Sequence, residues 1–361
     1  MDAALSRIVE QVQAARAART ALDIRGGHTK GFYGGPPRGE PLDVKPLAGI
    51  SSYEPTELVV TARGGTPLAE LEAALAEKGQ CLPFEPPRFG DAGTVGGMVA
   101  AGLAGPARAA VGSVRDYVLG TTLLNGRAEV VSFGGTVMKN VAGYDVSRVL
   151  AGSMGILGVI CEVSLKVLPV APATQTLRLE MDAATAIRRV NEWGGRPLPL
   201  NASAWWEGTL VIRLSGAAAA VRAAAAKIGG EVVEPAMASG FWAGLRDHRD
   251  EFFLGALRAL EGGAGLWRFS VPATTAPLAL SGEQLVEWGG AQRWLCTSAP
   301  AATLRNAAAA VGGHAVLFRA ADKTAGAFAP LSPPLDRIHR ELKRAFDPDG
   351  VFNPGRLVPG L

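Results

Sequence analysis

The residues of this chain that could do chemistry are concentrated in loops rich in glycine. The first loop, Arg25–Gly35, follows a predicted strand at Ala21–Ile24 and contains consecutive glycines, small polar residues and a lysine. The second loop, Gly90–Gly97, follows a proline-rich turn. Backbone N–H groups in such turns form concavities that bind anions, so both loops are candidate phosphate-binding sites. An ordinary glycine-rich turn is the other interpretation of the first loop when it is considered alone.

The stretch from Gly90 to Pro169 has many glycines and few charges. Because glycine costs roughly 0.5–1 kcal/mol in a helix or strand interior relative to alanine, this abundance indicates that the backbone approaches something closely. A ligand with phosphates and a flat ring system would fit. No GxGxxG sequence opens a helix after the first strand, and the GxxxxGK[ST] pattern does not occur. The predicted site is therefore of neither the Rossmann nor the P-loop type.

Apolar periodicity and turn residues predict the elements that position these loops. Thr66 is predicted to cap a helix that has Pro67 at its first position and Gly79 after its end. Asn125-Gly126 predicts a two-residue hairpin turn. The other predicted elements of this half are a helix over 2–20, strands over 58–61, 119–124, 128–132 and 157–168, and a loop becoming helical over 139–150.

The pattern of predicted elements changes after about residue 170. Residues 171–325 predict a β-α-β-β-α-β unit of ferredoxin-like type followed by a second, similar set. All seven tryptophans lie in this half, where they are predicted to anchor the core of a packed sheet. A helix over 332–345 and a turn-rich tail, FDPDGVFNPGRL, end the pattern.

Composition excludes several classes of protein. The chain has 361 residues, 48% of them hydrophobic, and a net charge of +3 without a basic cluster, which argues against a nucleic-acid partner. Its three cysteines, Cys81, Cys161 and Cys296, contain no CxxC pair, which excludes a disulfide framework, a zinc ribbon and an iron–sulfur cluster held by this chain alone. No uncharged run approaches the roughly 20 residues of a membrane span. A cytoplasmic location is expected.

Five motifs together carry a resemblance to a known family. They are the glycine loop at 25–34, GTVGG at 93–97, GSVRD at 112–116, KNVAGYD at 139–145 and GSMGILGVI at 152–160. Their order resembles the FAD-binding domain of the vanillyl-alcohol-oxidase flavoproteins, also called the p-cresol methylhydroxylase (PCMH) type. Within that superfamily, FEPPRFGDAGTVGG, GGTVMKNVAGYDVSRVLAGSMGILGVI and the tail resemble the FAD-binding subunits of bacterial glycolate oxidase (glycolate dehydrogenase).

The resemblance implies an α+β fold in which two α+β subdomains clasp FAD beneath an antiparallel-sheet, ferredoxin-like cap. The implied boundaries are 1–170 for the FAD-binding domain, 171–330 for the cap and 331–361 for a segment that returns to the FAD domain.

The resemblance also implies roles for individual residues. Arg25–Lys30 would carry the pyrophosphate on backbone N–H groups, and residues 152–160 would lie beside the adenine and flavin. Arg115, Asp116 and Tyr144 would fix the loops around the cofactor. For Arg115 and Asp116 a structural ion pair is an equal alternative, and for Tyr144 the alternative is a packed aromatic side chain. The implied cofactor residues are Arg25, Gly26, Gly27, His28, Thr29, Lys30, Pro87, Gly93, Thr94, Gly96, Gly97, Gly112, Ser113, Arg115, Asp116, Lys139, Gly143, Tyr144, Asp145, Gly152, Gly155, Gly158, Val159 and Ile160.

His28 raises a separate question. The resemblance includes relatives in which a GGH tripeptide supplies the histidine that bonds the flavin covalently, and Gly26-Gly27-His28 matches it. The other interpretation is a polar residue near the phosphates of a non-covalent FAD.

The histidine-rich metal cluster of catalytic relatives has no counterpart among His28, His248, His314 and His339, so no metal site is predicted. His248 is expected on a helix surface. Arg319 and Lys323 are candidates to bind a carboxylate, with surface solvation as the expected role. No residue is a persuasive catalytic base, and the catalytic residues are left unknown.

Three functions follow as hypotheses. The first is a glycolate oxidase subunit that binds FAD, associates with a larger FAD-containing catalytic subunit and an iron–sulfur subunit, and passes electrons towards quinone. It would reach the membrane only through these partners. The second is a self-sufficient FAD-dependent dehydrogenase acting on a small 2-hydroxy acid of the D-lactate kind. The third is a scaffold that has lost FAD, against which the glycine loops argue.

Overall fold

The computed structural model describes residues 2–136 and 145–361. The predictions for Lys139, Gly143 and Tyr144 therefore lie outside the described residues. The helices are α1 Ala3–Ala18, α2 Leu68–Ala76, α3 Val95–Ala101, α4 Arg108–Val111, α5 Val114–Tyr117, α6 Ala183–Gly194, α7 Ala218–Ile228, α8 Pro235–Asp247, α9 Glu251–Glu261, α10 Ala301–Ala310 and α11 Pro333–Phe346, with short 3₁₀ helices at Ser147–Leu150 and Trp288–Gly290.

The strands fall into two groups separated near residue 170. The first group is β1 Leu22–Arg25, β2 Glu40–Asp43, β3 Ile50–Glu54, β4 Val59–Arg63, β5 Gln80–Cys81, β6 Val118–Leu124, β7 Val130–Gly134, β8 Val159–Lys166 and β9 Leu168–Pro169. The second group is β10 Ala173–Glu180, β11 Leu200–Trp206, β12 Thr209–Gly216, β13 Glu231–Val232, β14 Gly265–Ser270, β15 Gln284–Glu287, β16 Gln292–Thr297 and β17 His314–Arg319.

The first group centres on an antiparallel five-stranded sheet with the order β3-β4-β8-β6-β7. Strand β8 is buried along most of its length because helices α2 and α3 pack over one of its faces and α1 contributes to the core beside it. Strands β1 and β2 form a separate parallel pair. The glycine loop that follows β1 therefore emerges beside the main sheet, next to α3.

The second group forms one antiparallel sheet of eight strands, in the order β13-β10-β12-β11-β15-β16-β14-β17. Its first four strands, with α6 and α7, have the strand order of a ferredoxin-like unit. The last four repeat that order with α10, but the described residues 271–283 contain no helix where the first unit has α6. The two units join edge to edge through β11 and β15. The mixed fold with an antiparallel, ferredoxin-like cap is as predicted.

The tail packs back onto the first group of strands. Leu22 of β1 forms a parallel bridge with Phe352, and the ammonium of Lys343 on α11 donates to the carbonyl oxygens of Ile156 and Phe352 and to the Asp347 carboxylate, at 2.6–2.8 Å. Helix α11 and the residues after it are therefore attached to the same region as the glycine loops. The exact domain boundaries stay a prediction.

Two local predictions were wrong. Helix α2 is capped by Pro67 without a side-chain hydrogen bond, because the Thr66 hydroxyl donates to the Gly49 carbonyl and accepts from its N–H, both at 3.0 Å. The β6–β7 turn spans residues 125–129, and the residue with positive φ is Ala128. Gly126 is needed for another reason: a Cβ there would overlap Asp347.

Four of the tryptophans, Trp193, Trp242, Trp267 and Trp294, are buried as predicted, and the other three are partly exposed. Nowhere in residues 2–136 and 145–361 is there a helix long and apolar enough to cross a membrane.

Candidate functional site

A cleft lies between the glycine loop after β1, helix α3, the start of β8 and the tail; its empty space, including the part open to solvent, is about 820 Å³. Its lining residues are Asp23, Ile24, Arg25, Gly26, Gly27, His28, Thr29, Lys30, Gly31, Pro37, Val44, Thr94, Gly96, Gly97, Ala100, Ala101, Met154, Gly155, Gly158, Val159, Ile160, Asn353 and Arg356. Thirteen of the predicted cofactor residues, from three of the five motifs, line this cleft.

Glycine lets the first two loops touch. A Cβ on Gly27 would overlap the carbonyl oxygen of Ala92, and one on Gly26 would overlap the hydroxyl of Thr94. These two glycines are therefore required by contact with the neighbouring loop, whatever ligand binds beside them. The sequence predicted that the glycine-rich backbone approaches something closely, and at these two positions that neighbour is the second loop.

The backbone of the first loop presents a run of unused donors. Among the described residues, no carbonyl or side chain accepts a hydrogen bond from the N–H groups of Gly26, Gly27, His28, Thr29 or Lys30. By contrast, Gly31 N–H donates back to His28, and Tyr33 N–H to Lys30. Unpaired backbone donors are costly when they are removed from water, so five in succession on the wall of a cleft suit an anion with several oxygens.

Carbonyl groups farther along the same loop are held by two cations from distant parts of the chain. Arg356 of the tail donates to the carbonyl oxygens of Gly31, Tyr33 and Gly35. Lys323, after β17, donates to those of Phe32 and Gly34. The loop is thus held in place through the carbonyl oxygens of residues 31–35. The N–H groups of residues 26–30, which come before them, take no part in these contacts and stay unpaired.

Positive charge lines the same wall. The Arg25 guanidinium is paired with Asp23, with 2.6 Å between Nε and Oδ2. The Lys30 ammonium has no carboxylate within ion-pair distance among the described residues, and it lies 5.9 Å from the centre of the Phe89 ring. Burial lowers the pKa of Lys30 to about 8, although Asp247 raises it slightly. A nearby anion would restore its charge.

Helix α3 forms the opposite wall, but its first N–H groups are already used. The N–H groups of Val95 and Gly96 donate to the carbonyl oxygens of Thr66 and Gly64, and that of Gly97 donates to the Thr94 hydroxyl at 3.2 Å. Thr94, Gly96 and Gly97 therefore offer the cleft small side chains and no free N–H group at residues 95–97. The first loop, with its unpaired N–H groups, is the better candidate to bind an anion.

Sequence reasoning missed the contribution of the tail. Asn353 accepts from Ile24 N–H at 2.8 Å and donates to the Met154 carbonyl at 2.7 Å, so one amide joins β1 to the segment before β8. Both Asn353 and Arg356 belong to FNPGRL, which was predicted to return to this region. The motif therefore predicted where the tail packs, but it did not predict the hydrogen bonds that Asn353 and Arg356 form there.

The remaining predicted residues that the structure describes do not line the cleft. Asp116 accepts from the N–H and hydroxyl of Ser113 at 2.7 and 2.9 Å, and caps the short helix α5 without pairing with Arg115. Asp145 pairs with Arg148 at 2.9 Å. The predicted residues that do not line the cleft are Pro87, Gly93, Gly112, Ser113, Arg115, Asp116, Asp145 and Gly152.

Three predictions about the cap side were wrong. His248 is buried at the end of α8, stacked on Phe253 with 3.6 Å between ring centres, and is not on a helix surface. Lys323 is engaged by main-chain oxygens, as described above, instead of being solvated. The Arg319 guanidinium carbon lies 3.6 Å from the centre of the Phe32 ring, so this side chain stacks on an aromatic ring instead of being solvated.

The comparisons with known proteins agree with this geometry. Residues 5–149 match a family described as FAD binding domain. Over 354 residues the chain is 48% identical to glycolate oxidase subunit GlcE of Escherichia coli strain K12, covering 98% of this chain and 97% of that one. The chain belongs to the GlcE family.

Other relatives of this GlcE-family chain match over shorter stretches. Glycolate oxidase subunit GlcD of Bacillus subtilis strain 168 is 30% identical over 36% of this chain and 27% of its own length. D-lactate dehydrogenase of Anaerostipes hadrus is 36% identical over 33% of this chain and 25% of its own length. An alkyldihydroxyacetonephosphate synthase has a similar fold, with a TM-score of 0.62 and 14% identity over 97% of this chain and 75% of that chain. The GlcE-family chain is thus an FAD-dependent oxidoreductase of PCMH-type fold.

The described residues fit this cofactor. Five free N–H donors and the Lys30 ammonium suit a pyrophosphate, and small or apolar side chains on α3 and before β8 suit flat rings. Throughout the part of the chain that the structure describes, no group of three or more His, Cys, Asp or Glu side chains is placed to hold a metal ion.

Proposed function

We propose that this chain is the FAD-carrying subunit of a glycolate oxidase and that it works within a complex. The partners are a larger FAD-containing catalytic subunit and an iron–sulfur subunit. The observation that carries the proposal is the run of free N–H groups at residues 26–30 in a chain that matches GlcE over 97% of the length of that protein.

Each part of the cleft has a role in this proposal. The N–H groups of residues 26–30 and the Lys30 ammonium bind the two phosphates. Thr94, Gly96 and Gly97 let the ribityl chain pass, and residues 155–160 border the rings. Bound FAD supplies a group that takes up and releases electrons. The residues of the chain position the cofactor, supply positive charge beside its phosphates and exclude water from its rings. His28 lines the cleft at φ 52°, with its imidazole against Gly31.

The complex oxidises glycolate to glyoxylate, and the electrons pass through flavin and the iron–sulfur subunit towards quinone. The chain is cytoplasmic and reaches the inner membrane only through its partners. A self-sufficient dehydrogenase for a D-lactate-like acid is the competing function, and the first experiment below separates the two.

The test is the visible spectrum of the isolated protein without oxygen, before and after adding glycolate. We expect the flavin bands to persist, and to bleach only when the partner subunits are present. Bleaching by glycolate in the isolated chain would overturn the electron-passing role and establish a self-sufficient enzyme. A colourless, folded protein would refute FAD binding.

Two further measurements complete the test. Affinity purification from native extract should retrieve the three subunits together, and a stable lone monomer would contradict the proposal. Acid precipitation should release all the yellow colour, because we propose non-covalent FAD. Colour retained in the pellet of the wild type and released from a His28→Ala variant would instead establish a covalent link.

A further inference from the structure

One stretch of the chain, residues 85–92, connects the cap to the loops that form the cofactor cleft, and we refer to it as the bridging segment. Its far end leads into the second loop and touches the first. A Cβ on Gly27 would overlap the Ala92 carbonyl, and a Cβ on Gly90 would lie 3.4 Å from the Thr29 side chain. The first loop therefore packs directly on residues 90–92.

The near end of the bridging segment is held by the cap. The Arg88 N–H donates to the carboxylate of Asp247, at the end of α8, over 3.1 Å. The Glu85 carboxylate forms an ion pair with Arg213 of β12, with 2.7 Å between the charged atoms. Two separate elements of the cap are thus attached to one short stretch of backbone.

The backbone of the bridging segment has a conformation that its residues would not adopt alone. Glu85 and Phe89 both have a φ of 50°, in the left-handed region that disfavours residues with a side chain. Such conformations persist only where the surrounding structure imposes them. The Phe89 ring packs edge-on against the ring of His248, with 4.9 Å between ring centres. The contacts with the cap therefore help to impose the shape of this segment.

The Asp247 carboxylate is the central group of this attachment. Its side chain is 1% exposed, and besides the Arg88 N–H it pairs with the guanidinium groups of Arg246 and Arg249, each at 2.7 Å. The carboxylate also raises the pKa of Lys30 against the effect of burial, so the end of α8 lies within electrostatic reach of the first loop. Asp247 does not itself line the cofactor cleft, so it acts on the cleft through other residues.

We propose that Asp247 is a positioning residue for the cofactor: it holds the bridging segment, and the segment holds the first loop in the form that binds FAD. This inference rests on the proposed function, because it concerns the same cleft. It adds that docking of the cap and binding of FAD favour each other. Coupling of this kind is reciprocal, so FAD must strengthen the docking of the cap by the same factor by which the docked cap strengthens FAD binding.

The experiment measures FAD affinity by flavin fluorescence as FAD is added back to the FAD-free protein. Asp247→Ala should weaken FAD binding at least about tenfold, because the bridging segment loses its acceptor. Asp247→Asn keeps an oxygen for the Arg88 N–H and should bind FAD more tightly than Asp247→Ala does. The matched control is Asp250→Ala. The Asp250 carboxylate caps α9 through the Phe253 N–H at 3.1 Å and, among the described residues, has no hydrogen bond or ion pair to the bridging segment. This variant should bind FAD as the wild type does.

Hydrogen exchange separates positioning from a general loss of stability. In the wild type, FAD should slow amide exchange at residues 244–249, the end of α8, although these residues do not line the cleft. In Asp247→Ala, exchange at these residues should be the same with and without FAD. A variant that is merely less stable would exchange faster in both states and would keep the effect of FAD.

If Asp247→Ala does not fold, Glu85→Gln takes its place, because it removes the ion pair to Arg213 and keeps an acceptor for the Ala107 N–H. It should weaken FAD binding at least about fivefold. Wild-type FAD affinity in either variant, an equal loss of affinity in Asp250→Ala, or no effect of FAD on exchange in the wild type would overturn this inference alone. A wild-type chain that binds no FAD would refute the proposed function as well, so the two failures are distinguishable.

Discussion

The cofactor cleft and a buried polar cluster in the cap, formed by His248, Glu287, Gln292 and Trp294, are built by opposite means. The cleft presents main-chain N–H groups that are free because glycines let two loops meet and because Arg356 and Lys323 hold the loop carbonyls. The cap cluster consists of side chains that satisfy one another: Gln292 and Trp294 of β16 both donate to the Glu287 carboxylate at the end of β15, and the His248 ring after α8 packs against Trp294.

The difference has a physical consequence. A site built from main-chain N–H groups tolerates most changes of side chain. It does not tolerate an added Cβ where the two loops touch, because a Cβ there would overlap backbone or side-chain atoms of the neighbouring loop. A side-chain site depends on burial, charge and the packing of aromatic rings around each group. Substitutions should therefore affect the two regions through different measurements, namely cofactor content in the first and pH-dependent stability in the second.

The largest effect is expected from Gly27→Ala. The new Cβ would overlap the Ala92 carbonyl, and overpacking of this kind typically costs about 1–3 kcal/mol. Because the two loops must separate, we expect flavin content, measured as flavin absorbance per protein, to fall more than about tenfold.

The matched control for that substitution is Gly240→Ala, on the exposed side of α8, where no atom would lie within 4 Å of the new Cβ. It should keep full flavin and gain roughly 0.5–1 kcal/mol of stability. Full flavin content in Gly27→Ala would show that the loop contact does not shape the cleft.

Glu287→Gln tests the side-chain region through pH. The Glu287 carboxylate accepts from Trp294 at 2.6 Å, and burial, with the carboxyls of Asp250 and Glu85, raises its pKa to about 7. The folded state therefore holds a proton that the unfolded state loses above pH 4.5. Wild-type stability should fall as pH rises from 4.5 to 7 relative to the variant, by about 3 kcal/mol in urea unfolding. Parallel pH profiles would contradict a buried, protonated Glu287.

Asn353→Ala should cost about 1–3 kcal/mol, because it leaves Ile24 N–H and the Met154 carbonyl without a partner. Urea unfolding of the FAD-free protein measures the loss. Thr174→Ala, which removes an exposed bond to Ser215, is the control and should change stability by less than about 0.5 kcal/mol. Equal effects of the two substitutions would mean that the tail does not stabilise the cleft.

The smallest effect concerns Lys30. Its pKa of about 8 means that the ammonium loses its charge between pH 7 and 9, and the phosphates lose an attraction. FAD affinity, measured by flavin fluorescence, should weaken by up to about tenfold over that interval. Lys30→Arg stays charged, so its affinity should be less sensitive to pH. The same pH dependence in both proteins would assign the titration to another group, of which Lys323 is the first candidate because its pKa is also about 8.

The same contrast explains what the sequence could predict. Glycine loops leave a local pattern, and the family resemblance that this pattern carries implied cofactor roles for residues that do line one cleft, namely Arg25 to Lys30, Thr94, Gly96, Gly97, Gly155, Gly158, Val159 and Ile160. The ferredoxin-like order of the cap followed from strand and helix periodicity. His248 was misjudged because RDHRDEFF is polar around it, and only the packing of Phe253, Trp294 and Phe318 buries the ring.

Other errors had equally local causes. Thr66 has the residue type and position of a helix cap, but its hydroxyl is taken by Gly49, which lies 17 positions earlier. Asn125-Gly126 has the composition of a two-residue turn, but Gly126 N–H is drawn to the Phe346 carbonyl of α11. In both cases a long-range contact outweighed a local preference.

The bond from Ile24 N–H to Asn353 joins positions 329 residues apart. A ribosome makes β1 and the glycine loop long before it makes the asparagine that ties them to the segment before β8. During synthesis the emerging chain therefore carries the phosphate-binding loop without the residues that close the cleft around it. Flavin capture should be a late event, and a product of premature termination before residue 353 would be colourless even though every glycine motif is intact.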